Sequence, residues 1–123
     1  MKTLYISDLD GTLLNTSAEL SDGTVNALNK MIADGVNFSI ATARTYASAI
    51  KLLSKLNLHT PIVLMNGVQI YDMEQKSFVN THYLKEDTVS SIIKVLHSHD
   101  MSAMMYEFKN DELRTYYEHL EHK

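Results

Sequence analysis

The sequence predicts an α/β protein in two parts. Three observations carry this. Short β-branched or apolar runs alternate with helical stretches up to Met65, the pattern changes to paired alternating strands after Asn66-Gly67, and polar residues follow each of the first three strands. The chain has 123 residues, 45% of them apolar and 21% charged. That suits about one domain of ordinary size with a real core, and it argues against disorder.

The elements follow in order. Leu4 to Ser7 reads as a short buried strand ending at Asp8, with residues 13–20 as a loop. Ser21 or Asp22 can cap a helix running to about Asp34, with Val25, Leu28, Met31 and Ile32 on one face and Gly35 as its stop. Val36 to Ala41 is β-branched and apolar, the second strand, and Thr42-Ala43-Arg44-Thr45 follows it. A second helix is expected from about Thr45 to Asn57, with Ile50, Leu53 and Leu56 inward. Pro61 then opens a third strand, Ile62 to Met65. This β-α-β-α-β succession implies a partial Rossmann-like parallel sheet with right-handed crossovers. In a parallel sheet the strand ends share one edge, so Asp8 and Asp10, Thr42 and Arg44, and Asn66 and Gly67 are expected to converge.

Beyond Gly67, Val68 to Tyr71 and Ser77 to Asn80 alternate around the turn Asp72 to Lys76, which reads as a β-hairpin. Residues 86–99 form an amphipathic helix with Val89, Ile92, Ile93 and Leu96 on one side. Met101 to Phe108 and Leu113 to Tyr117 read as two strands around the turn Lys109-Asn110-Asp111. A boundary is expected near residues 80–84, separating residues 1–80 from residues 81–123.

The net charge of −4 argues against broad binding to nucleic acid or an anionic membrane, although a bound cation can reverse the local field at a phosphate site. Absence of Cys excludes disulfides, thiolate catalysis and Cys-ligated zinc. No signal-peptide succession opens the sequence, and no stretch approaches the roughly 20 apolar residues of a membrane span. A cytoplasmic protein is the expectation.

Asp8-Leu9-Asp10-Gly11-Thr12 is the segment that carries chemistry. Two acids, a flexible turn and a hydroxyl at a strand end point to a magnesium-assisted phosphoryl site. Each part has a plainer alternative. The acids can be solvated, Thr42 can cap a helix, Arg44 can be a surface cation, and Asn66-Gly67 can be only a turn. His97 and His99 would face apart on a helix, and His119 and His122 read as a solvated tail rather than a metal site. Met101, Met104 and Met105, with Tyr116 and Tyr117, read as ordinary packing.

With those residues in view, the chain resembles the haloacid dehalogenase (HAD) superfamily. Asp8-Leu9-Asp10-Gly11-Thr12-Leu13-Leu14 is similar to its first motif, and Phe38 to Thr42 with Arg44 is similar to its second. Asn66-Gly67-Val68-Gln69-Ile70-Tyr71-Asp72 resembles the Cof-type, sugar-phosphatase-like branch. The resemblance implies a HAD-like core followed by part of an α+β cap. It implies Asp8 as the nucleophile forming an aspartyl-phosphate, and Asp10 as general acid and then base. Mg²⁺ would be held by the Asp8 side chain and the Asp10 backbone carbonyl. Thr42, with backbone amides near Gly11, would bind the phosphoryl group, and Arg44 and Asn66 are candidates for phosphate or substrate contact. The implied substrate is a small phosphorylated metabolite such as a sugar phosphate.

Two later motifs of that family, a phosphate-holding Lys and a Gly-Asp-rich metal segment, have no counterpart in the sequence. Lys85, Lys94 and Lys109 lie in cap-like segments instead. The chain therefore reads as the N-terminal half of such a protein, with weak or no turnover expected. An inactive fragment that binds a partner, or itself, through unfinished sheet and cap surfaces is one alternative. A phosphomutase using the same aspartyl-phosphate is another. A receiver-like module is disfavoured, since its acid would be expected where Met65-Asn66 stands.

Overall fold

A computed structural model describes residues 3–109 and 112–117. The chain divides into two compact units, Met1–His82 and Tyr83–Lys123. The structure is mixed α/β with a parallel strand pair, as the alternation of strand and helix predicts.

The first unit opens with β1 (Leu4–Ser7), α1 (Asp22–Ala33), β2 (Asn37–Ile40) and α2 (Tyr46–Leu53). It continues with β3 (Ile62–Leu64), β4 (Gln69–Asp72) and β5 (Ser77–Thr81). β1 and β2 are parallel, running from Leu4 opposite Asn37 to Ser7 opposite Ile40. β3 joins β2 through a single parallel bridge, Ala41 to Val63. Its longer ladder is antiparallel to β4, and β4 pairs in turn with β5. The hairpin read from alternation is thus a continuation of the third strand.

Phe38, Ser39 and Ile40 are all buried, so β2 is covered on both faces, as an interior parallel strand should be. Leu28, Ile32, Ala49, Leu53, Ile62 and Leu64 bring both helices and β3 into the same core cluster. Burial at this level contributes roughly 1.5–3 kcal/mol per large aliphatic side chain. Ser21 caps α1 by accepting from the Thr24 N–H at 3.1 Å. Gly35 closes α1 at φ +90°, with Val36 N–H bonded to the Met31 carbonyl at 3.0 Å. The β4–β5 turn is held by the Asp72 carboxylate, which accepts from the Glu74 and Gln75 N–H groups, both at 2.8 Å.

Several expectations are corrected. β1 is not buried: Leu4, Tyr5 and Ile6 are 50%, 55% and 56% exposed. Among the described residues β2 is its only strand partner, so one edge and much of both faces remain open. α2 stops at Leu53 rather than Asn57. The chain turns there so that Asn29 of α1 can donate to the Lys55 carbonyl at 3.0 Å and accept from the Asn57 N–H at 2.8 Å. Leu56 and Leu58 are buried all the same. Met31 is exposed, because it lies on the flank of the Val25, Leu28 and Ile32 stripe. β3 ends at Leu64, since Met65 takes φ +50° and leaves the extended region.

The second unit holds α3 (Glu86–Ser98), β6 (Met104–Lys109) and β7 (Glu112–Tyr117). β6 starts three residues later than alternation indicates. β6 and β7 are antiparallel, from Met104 opposite Tyr117 to Lys109 opposite Glu112. No residue of α3 is buried. Asn110 and Asp111 of the expected turn, and His119 and His122, lie outside the described residues. No helix among the described residues is long and apolar enough to cross a membrane.

Candidate active site

The end of β1 is shaped by the alternation in Asp8-Leu9-Asp10. Leu9 is fully buried and the flanking acids face outward. The Leu9 carbonyl accepts from the Leu14 N–H at 2.9 Å, closing a wide turn over Leu9–Leu13. Inside it, Asp10 (φ −74°, ψ 126°) and Gly11 (φ 73°, ψ 0°) have the angles of a type II turn. The second of these positions favours Gly because it has no Cβ to clash at positive φ. The Asp8 carboxylate accepts from the Leu9 N–H at 2.7 Å, which fixes the side chain at the strand end.

The end of β2 is built around Thr42, a buried residue. Its N–H donates to the Val63 carbonyl at 3.0 Å, and its carbonyl accepts from the Asn66 N–H at 3.1 Å. Its hydroxyl oxygen accepts from the Arg44 N–H at 3.2 Å, so the hydroxyl hydrogen can be donated elsewhere. The Arg44 carbonyl accepts from the Met65 N–H at 3.1 Å. Met65, Asn66 and Gly67 take φ of +50°, +54° and +95° in succession. The backbone bonds to Thr42 and Arg44 hold that left-handed run in place. Asn66 itself is exposed.

The two ends are joined by side chains. Arg44 Nε donates to Asp10 Oδ2 at 2.8 Å and Nη2 to Asp10 Oδ1 at 2.7 Å, a two-pronged pair. The Asp10 side chain is 54% exposed and that of Arg44 27%. These hydrogen bonds draw the Asp10 carboxyl below its ordinary value and raise Arg44. One hydrogen-bonded path therefore runs from Asp10 through Arg44 and Thr42 to Asn66. Asp8 and Gly11 flank Asp10 on the same turn. Sequence reasoning missed the pairing of Arg44 with Asp10; the available signal was an Arg placed two residues past a strand end that shares its edge with Asp10.

Among the described residues, no three His, Cys, Asp or Glu side chains gather as a metal site. The oxygen donors fit Mg²⁺ even so. That ion takes one or two carboxylates and fills its other positions with water and phosphate oxygens. The Asp8 carboxylate and the Asp10 carbonyl supply hard oxygen donors on one exposed turn.

Residues 5–123 match the haloacid dehalogenase-like hydrolase family. The chain is 30% identical over 119 residues to a 5-amino-6-(5-phospho-D-ribitylamino)uracil phosphatase of Bacillus subtilis, covering 95% of this chain and 44% of that protein. It is 28% identical over 99 residues to a pyridoxal phosphate phosphatase of Escherichia coli, covering 80% and 36%. A haloacid dehalogenase-like hydrolase from B. subtilis superposes with a TM-score of 0.72 at 27% identity, covering 88% of this chain and 38% of that one. The chain thus spans about two fifths of the length of these proteins.

Proposed function

The chain belongs to the haloacid dehalogenase-like hydrolase family, and on that premise we propose that it carries the nucleophile end of a Mg²⁺-dependent phosphatase site for small phosphorylated metabolites in the cytoplasm. The observation that carries this reading is the hydrogen-bonded path from Asp10 through Arg44 and Thr42 to Asn66, beside Asp8. The phosphatases it resembles, named for a phosphoribitylamino-uracil and for pyridoxal phosphate, support a small substrate.

In the proposed mechanism an Asp8 oxygen attacks phosphorus and forms an aspartyl-phosphate as the bond to the leaving oxygen breaks. Asp10, protonated from solvent on an oxygen that Arg44 releases, gives the leaving oxygen that proton, then takes one from the water that cleaves the acyl phosphate. The Thr42 hydroxyl and the backbone N–H groups around Gly11 donate to the equatorial oxygens, whose charge grows in the transition state. Mg²⁺ held by the Asp8 carboxylate and the Asp10 carbonyl would supply charge neutralisation between nucleophile and substrate.

The test is hydrolysis of p-nitrophenyl phosphate and of sugar phosphates by the 123-residue chain. Slow, Mg²⁺-dependent turnover is expected, falling about a thousandfold or more in Asp8→Asn. Turnover that survives Asp8→Asn overturns the reading, and none by the unsubstituted chain favours the inactive-fragment alternative.

A further inference from the structure

The geometry points to Arg44 as a positioning residue that acts on the reaction through Asp10, not through the substrate phosphate; this rests on the phosphatase reading above. Asp10 stands on an exposed turn, and its neighbour Gly11 offers no side chain to brace it. Among the described residues its carboxylate is held by Arg44, which engages both oxygens at 2.7 and 2.8 Å. Arg44 is itself fixed at both backbone ends. Its N–H is held by the Thr42 hydroxyl at 3.2 Å and its carbonyl by the Met65 N–H at 3.1 Å. Orientation therefore passes from the β2 and β3 ends, through the guanidinium, to the carboxylate of Asp10.

The fork matters as well as the charge. A guanidinium meets both oxygens of a carboxylate in one plane and so sets its rotation, whereas an ammonium meets them as a point charge. With Nε and Nη2 committed to Asp10, a phosphate contact by Arg44 would have to use Nη1 or break the fork. A proton-transfer group must lie within hydrogen-bond reach of the atom it serves, and a small misplacement is costly in rate.

The experiment combines spectroscopy with kinetics on the full chain. Arg44 and Arg114 are the only arginines, so their Nε–H resonances can be assigned by comparing Arg114→Lys. The Arg44 Nε–H signal is expected to be displaced from a solvated guanidinium position and to return there in Asp10→Ala. With p-nitrophenyl phosphate, Arg44→Ala is expected to lower kcat about a hundredfold with KM little changed. Arg44→Lys is expected not to rescue it. Arg44→Ala added to Asp10→Ala is expected to cause no further loss, since both act through one group. An Nε–H signal indifferent to Asp10→Ala overturns the inference even if the chain hydrolyses nothing. So do losses that multiply in the double variant, a rise in KM as the main effect, or full rescue by Lys. Absence of turnover together with a coupled Nε–H signal instead counts against the phosphatase reading.

Discussion

Gly11 lets the backbone turn directly after Asp10. Its φ of +73° is favoured by the absence of a side chain, and an added Cβ would meet nothing within 4 Å. The effect of Gly11→Ala is therefore one of backbone conformation, about 1 kcal/mol of lost stability. Gly23 is the control. It lies in the first turn of α1, where an added Cβ would stand 3.8 Å from Ser21 Oγ and φ is not positive. We expect Gly23→Ala to be neutral or stabilising by up to about 1 kcal/mol, and urea denaturation of both variants checks the contrast. Equal midpoints would mean that the type II turn is not kept in solution. The turn at Asp10-Gly11 was legible because Gly after a strand-end acid is a local signal. The Asp10–Arg44 pair was not, because it depends on how far each strand extends beyond the shared sheet edge. Thr42 shows the same limit. A Thr before a helix reads as a cap, yet its hydroxyl takes the Arg44 N–H, and Thr45 occupies the N-cap position of α2.

At the scale of elements, α2 and the β4–β5 hairpin meet through three aromatic rings. Tyr46 and Tyr71 centroids are 4.4 Å apart, and Phe78 stands edge-on at 5.5 and 5.1 Å from them. The Tyr46 and Tyr71 hydroxyls share a hydrogen bond at 3.1 Å. Burial first, and this contact second, push the Tyr71 hydroxyl up to about 12. A phenol raised in the folded state favours folding in its neutral form. Its contribution is whole below the unfolded value of about 10 and is lost as pH rises through about 12. The wild-type chain is therefore expected to lose stability steeply above pH about 10, and Tyr71→Phe to lose less across that interval. Urea midpoints measured at successive alkaline pH values check this, and parallel losses in the two proteins would contradict it. The periodicity that placed α1, β2 and α3 is a property of each segment alone, so it was legible. The open sides of β1, the early end of α2 and the β3–β4 ladder depend on what lies alongside. Asn29 ends the helical course after Leu53 from 26 positions away in sequence.

At the scale of the whole molecule, the apolar residues are unevenly used. The buried hydrophobic residues named in the core all belong to the first unit. In the second unit Tyr83, Leu84, Val95, Met104, Tyr116 and Tyr117 stand exposed, and among the described residues the β6–β7 sheet has two strands. A two-stranded sheet with one helix is marginal in water, and open strand edges invite pairing. In the first unit the exposed Leu4, Tyr5 and Ile6 line a strand paired along one edge among the described residues. Burying one such side chain contributes roughly 1.5–3 kcal/mol, so a few of them can offset the entropy lost when chains associate. We therefore expect the 123-residue chain to self-associate, with an average mass that rises with concentration in sedimentation velocity. Two sets of substitutions locate the contact. Tyr5→Lys adds charge to the edge strand β1 and Tyr117→Lys to the β6–β7 sheet, each on an exposed side chain. The substitution that lowers the average mass without shifting the urea midpoint of the first unit marks the face that associates. A monomer at every concentration would show that the exposed apolar residues remain solvated in the isolated chain.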